Sequence, residues 1–145
     1  MKHKLSKGKR IIITAMAVMC ALSTAAAIGA NAKTYQWTHT VSLATNPGAM
    51  TSIITSMGGS GKMSDVFSSY PTIFDGYSRS ENRARAVVET SGKSYGWKDF
   101  TLTKNYPASV SVVYGSNLSK NSYYVQYQNK SQGGFRSTAT LIRTY

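Results

Sequence analysis

The chain has 145 residues and a formal net charge of +12, with a single cysteine, two histidines and five acids. That length holds one domain. The composition excludes a disulfide framework and a clustered His/Cys metal centre, and the charge favours polyanionic partners.

The first 32 residues read as a leader. MKHKLSKGKR carries Lys2, Lys4, Lys7, Lys9 and Arg10 and no acid, and the apolar run IIITAMAVMCAL follows it. Small residues then lead to Ala30-Asn31-Ala32, an A-x-A cleavage signal that places the cut before Lys33. An uncleaved anchor over Ile11–Ala30 is the alternative, since about 20 apolar residues span a bilayer. A lipid-modified Cys20 is disfavoured by the bulky Met19 before it. Removing 32 of 145 residues leaves 113, with no cysteine, and with twelve bases against five acids, a net +7. Such a domain relies on packing alone. The Lys-rich leader start and the cysteine-free mature chain point to an exported protein of a Gram-positive bacterium.

The mature chain opens on TYQWTHTVSL. Tyr35, Trp37, His39, Val41 and Leu43 alternate with Thr34, Gln36, Thr38, Thr40 and Ser42, the period of a half-buried strand. Trp37 is expected to be buried and Thr38 exposed. Asn46-Pro47-Gly48 is a turn. AMTSIITSM is ambiguous: Met50, Ile53, Ile54 and Met57 have helical spacing, yet Thr and Ile favour strands. SMGGSGKM ends in Gly61-Lys62, like a phosphate-cradling loop. That motif requires a glycine at position 56 and a hydroxyl at 63, where Ser56 and Met63 stand, so it is a flexible turn and no nucleotide is expected. SDVFSSYPTIFDGYSRS, broken by Tyr70-Pro71 and Asp75-Gly76, reads as a long irregular connection.

Strand signals then recur. RARAVVET sets Ala84, Ala86 and Val88 against Arg83, Arg85 and Glu89. SVSVVYG sets Val110, Val112 and Tyr114 against Ser109 and Ser111. SYYVQYQ sets Tyr123, Val125 and Tyr127 against Ser122, Gln126 and Gln128. STATLIRTY sets Ala139, Leu141 and Tyr145 against Thr138, Thr140 and Thr144. YGWKDFTL changes phase between Trp97 and Phe100, the mark of a bulge. Turn signals at Ser91-Gly92, Asn105-Tyr106-Pro107, Gly115-Ser116-Asn117 and Gln132-Gly133-Gly134 separate the runs. Short, evenly spaced strands predict an all-β antiparallel β-sandwich over 33–145, with a small open β-barrel as the alternative.

Chemistry is sparse. His39, the one mature histidine, shares the apolar face of its strand and is expected to be structural, not a triad member. Asp75 precedes Gly76 as a turn former. Glu81 and Glu89 lie among Arg79, Arg83 and Arg85 as surface partners, and Asp65 and Asp99 carry no assigned role. No catalytic residue, metal ligand or cofactor is assigned, and no enzymatic activity is expected. The binding candidates are Tyr124, Gln126 and Gln128, which share the outward phase of one strand, and Lys120 and Lys130 at its flanks. Tyr and Gln on an open sheet face stack on sugar rings or dock a protein. The expected function is binding at the cell envelope through an anionic cell-wall polymer, a glycan or an envelope lipid. Nucleic acid is disfavoured by the scattered charge. A bacteriocin-like antibacterial polypeptide is the alternative, and a small secreted hydrolase comes third.

Overall fold

The computed structural model describes residues 31–68, 70–104 and 109–145. All but the last two residues of the expected leader, and the turn at Asn105-Tyr106-Pro107, lie outside the described residues. Nine strands follow in order: β1 (Thr34–Leu43), β2 (Met50–Met57), β3 (Gly61–Phe67), β4 (Thr72–Ile73), β5 (Arg79–Val88), β6 (Lys98–Thr103), β7 (Val110–Leu118), β8 (Asn121–Asn129) and β9 (Phe135–Thr144). They form two antiparallel sheets packed as a sandwich. One runs β1-β9-β3-β7, with β4 also paired to β9, and the other runs β2-β8-β5-β6. The barrel alternative is not what forms.

The alternations place the core. Val41 and Leu43, Ala84, Ala86 and Val88, Val112 and Tyr114, Tyr123, Val125 and Tyr127, and Ala139 and Leu141 are all buried. Phe67 stacks on Phe100 across the sandwich at 4.8 Å and meets Tyr127 and Phe135 edge-on at 6.1 Å. Ala84 and Ala86 are register partners of Tyr127 and Val125, so small residues on β5 make room for large ones on β8.

Five expectations are corrected. Trp37 is 43% exposed and Tyr35 is 40% exposed. They hold the inward phase of β1, but that face becomes buried only from His39 onward, so the first half of the strand outruns the cover of the core. The ambiguous AMTSIITSM is strand β2. Met50 and Ile54 point outward while Ile53 and Met57 point inward, which mimics helical spacing without any helix. β3 takes Gly61-Lys62-Met63 from the supposed flexible turn and Ser64–Phe67 from the supposed irregular connection, and lies inside the first sheet between β9 and β7. The phase change before Phe100 is not a bulge within one strand, because β6 begins only at Lys98, after a turn in which Gly96 has φ +78°. Thr144 is buried, not outward, with its Oγ1 3.3 Å from that of Thr34.

The glycine run has a packing role. A Cβ on Gly61 would sit 1.9 Å from the Thr144 carbonyl oxygen, and one on Gly58 would sit 2.8 Å from the Tyr145 ring. The loop crosses between the sheets pressed against the end of β9, and only glycine allows that approach. Asp75, at φ +55°, and Gly76, at φ +76°, form the turn expected of them.

Candidate functional site

Two polar constellations are buried. In the first, Asp65 is fully enclosed on β3. Its Oδ2 accepts the Tyr114 hydroxyl at 2.6 Å and the Tyr127 hydroxyl at 2.5 Å, and His39 Nε2 lies 3.1 Å from its Oδ1. Burial, then the neighbouring Tyr127 and the Asp65 charge, hold the Tyr114 hydroxyl well above the usual tyrosine range. Burial and Asp65 do the same to Tyr127. His39 Nδ1 is buried without a partner among the described residues, so no serine stands where a Ser-His-Asp triad needs one. In the second, register partners Asn82 and Asn129 fill a core position with Ser80. Asn82 Nδ2 donates to the Ser80 carbonyl, and Asn129 Nδ2 donates to the Gly133 carbonyl, each at 3.0 Å. Both constellations tie strands together.

The outward face of the four-stranded sheet is different. Tyr124, Gln126 and Gln128 point outward from β8 and are half-buried, because β2 and β5 flank that strand on both sides. Register sets Ile54 and Val87 on either side of Tyr124, and Arg85 and Arg83 opposite Gln126 and Gln128. The two arginines are built in. Arg83 Nε donates to Gln128 Oε1 at 2.7 Å, and Arg85 Nε donates to Gln126 Oε1 at 2.9 Å. Both guanidinium groups lie over the Trp97 ring, at 4.6 and 4.2 Å from its centroid. Their Cα atoms, two residues apart on one strand, are about 7 Å apart. Each spends one N–H on glutamine and packs against tryptophan, and among the described residues the terminal N–H groups of neither make a side-chain hydrogen bond. Among the described residues neither has a carboxylate within ion-pair distance; the exposed pairs are Arg79 with Glu81 and Lys130 with Asp99.

At one end of this face a shallow hollow is lined by Gly48, Arg83, Gln128, Asn129 and Lys130. The structure therefore brings Tyr124, Gln126, Gln128 and Lys130 onto one surface. Lys120 is exposed in the β7–β8 turn, at the other end of the strand from Lys130. Sequence reasoning missed Arg83, Arg85 and Trp97 as parts of the site. It placed the arginines outward, but their pairing with the glutamines depends on β5–β8 register, which alternation alone does not give. Glu89 meets Tyr124, whose hydroxyl lies 3.5 Å from its Oε1, rather than an arginine.

These features define a small antiparallel β-sandwich with a cationic sheet face backed by an aromatic ring. No family model matches the chain, and no curated protein matches it. Among solved structures, it is similar to the CBM36-1 domain of a multidomain xylanase from the hindgut metagenome of Trinervitermes trinervoides. The TM-score is 0.47 and the identity 11%, over 77% of this chain and 96% of that one. A family 35 carbohydrate binding module from Clostridium thermocellum gives 0.46 and 15%, over 77% and 91%. A Bacillus endospore appendage protein of disulfide-linked pili gives 0.45 and 9%, over 79% and 87%. At these values nothing of those proteins' ligands or assemblies transfers to this chain.

Proposed function

We propose that the protein is exported after cleavage at Ala32 and acts, without catalysis, by binding an anionic glycan polymer of the cell envelope on the outward face of the four-stranded sheet. The observation that carries this reading is the pair of guanidinium groups held by Gln126, Gln128 and Trp97, with no acid neutralising either within ion-pair distance among the described residues. Orienting two side chains that otherwise have many rotamers costs entropy, and here that cost is met before a ligand arrives. Two guanidiniums side by side on one strand suit an extended polymer with repeated carboxylate or phosphate groups better than one small anion. Tyr124, in its apolar setting of Ile54 and Val87, offers a ring for a sugar face.

The two contributions separate by salt. Ionic attraction fades as salt approaches ~1 M, where the Debye length is about 3 Å, whereas stacking persists. Retention on purified cell walls is expected to weaken several-fold with salt and to keep a residue that Tyr124→Ala removes. Retention abolished by salt alone and indifferent to Tyr124→Ala would leave only a nonspecific basic surface.

A further inference from the structure

The strand β1 ends its sheet. It pairs with β9 on one side, from Thr34↔Thr144 to Leu43↔Phe135 without a register shift, and among the described residues nothing pairs with its other side. A sheet edge presents unpaired N–H and C=O groups, and proteins blunt such edges with charge, proline, bulges or short length. Two of the other edges use these devices. β6 begins with Lys98 and Asp99, and β7 meets β3 with two register shifts. β1 has none of them: its ten residues, TYQWTHTVSL, include no charge, proline or glycine. Beside it, the edge strand β2, MTSIITSM, is equally uncharged. Four of the exposed large hydrophobic residues, Tyr35, Trp37, Met50 and Ile54, lie on these two strands.

We propose that β1 pairs antiparallel with β1 of a second copy of this chain, joining the two β1-β9-β3-β7 sheets across a two-fold axis. Charge selects the occupant. In an antiparallel β1–β1 pair no Lys, Arg, Asp or Glu of one strand faces one of the other, so like charges are kept out of the seam itself. A two-fold axis normal to the sheet keeps both cores on the same side, so inward residues must face inward residues. Centred on Thr38, the pairing sets Trp37 opposite His39 of the second copy, and Tyr35 opposite Val41 of the second copy. The two half-exposed aromatics gain the cover that their own sandwich does not supply, and the isologous contact closes at a dimer.

Thr38 is exposed on the solvent side of the sheet and faces itself across this axis, so Thr38→Lys sets two like charges directly opposite each other without entering the core. Sedimentation velocity of the full chain over a concentration series is expected to show a monomer–dimer equilibrium. Its dissociation constant should rise about tenfold or more in Thr38→Lys and also in Thr40→Lys, and stay unchanged in Thr101→Lys on β6. Circular dichroism confirms that each variant keeps its strands. The leader is common to all four proteins, so association through it does not respond to these changes. A monomer at every concentration, open assemblies in place of a dimer, or a dimer indifferent to Thr38→Lys and Thr40→Lys would overturn the proposal.

Discussion

Tyr114 and Tyr127 converge on Asp65 Oδ2, and both keep their protons to higher pH in the fold than in the unfolded chain. The sign follows from linkage. Below pH about 10 both states hold the phenolic protons and stability is unaffected. Above it the unfolded chain releases them while the fold does not, so stability falls at about 1.4 kcal/mol per pH unit for each tyrosine. Denaturant unfolding between pH 9 and 11 is expected to show this loss, with a shallower slope in Tyr127→Phe; a slope the same in both proteins would remove Tyr127 as a source. Exposure separates two other aromatics. Phe67→Ala should cost about 3–5 kcal/mol, as for a buried ring. Trp37→Ala, at a residue 43% exposed, should cost roughly half of that or less, and equal costs by thermal or chemical melts would contradict the observed burial.

The crossing from β2 to β3 shows what a strand boundary needs. Gly61→Ala drives a methyl into the Thr144 carbonyl and is expected to cost more than about 3 kcal/mol, the upper end of overpacking. Lys62→Ala, one residue on, should stay within about 0.5 kcal/mol and change no binding. If both variants melt together, the close approach of β3 to the end of β9 is wrong. The same elements show what was legible beforehand. β5, β8, the first half of β7 and most of β9 carry clean alternation because each has one face in the core and one outside it, whereas Gly115-Ser116-Asn117, expected as a turn, continues β7 to Leu118 with the alternation broken. β3 was hidden because Asp65 occupies a core position and Ser64 is also buried, which erases the pattern. β2 was blurred because outward Met50 and Ile54 are as apolar as inward Ile53 and Met57. The outward phase of Tyr124, Gln126 and Gln128 was readable within one strand. The pairing of Gln126 and Gln128 with Arg85 and Arg83 was not, because it depends on contacts 41 and 45 residues apart in the chain.

At the scale of the molecule, one sheet face holds the oriented cations and the opposite end of the same sheet carries the uncharged edge strand β2, next to β1. The proposed ligand contacts centre on β5 and β8 and the proposed pairing on β1, so a dimer would present two cationic faces to one polymer, raising apparent affinity through effective concentration. The central claim is that Arg83 and Arg85, held in place by Gln128, Gln126 and Trp97, recognise repeated anions on a glycan. Its most direct test is a binding isotherm for an anionic wall polysaccharide, and for its neutralised form, with wild type and with Arg83→Gln/Arg85→Gln. Charge-assisted hydrogen bonds contribute about 1.5–3 kcal/mol each. The double variant is therefore expected to bind the anionic polymer at least about a hundredfold more weakly while binding the neutral form as wild type does. Equal affinity of the two proteins for the anionic polymer would contradict the claim.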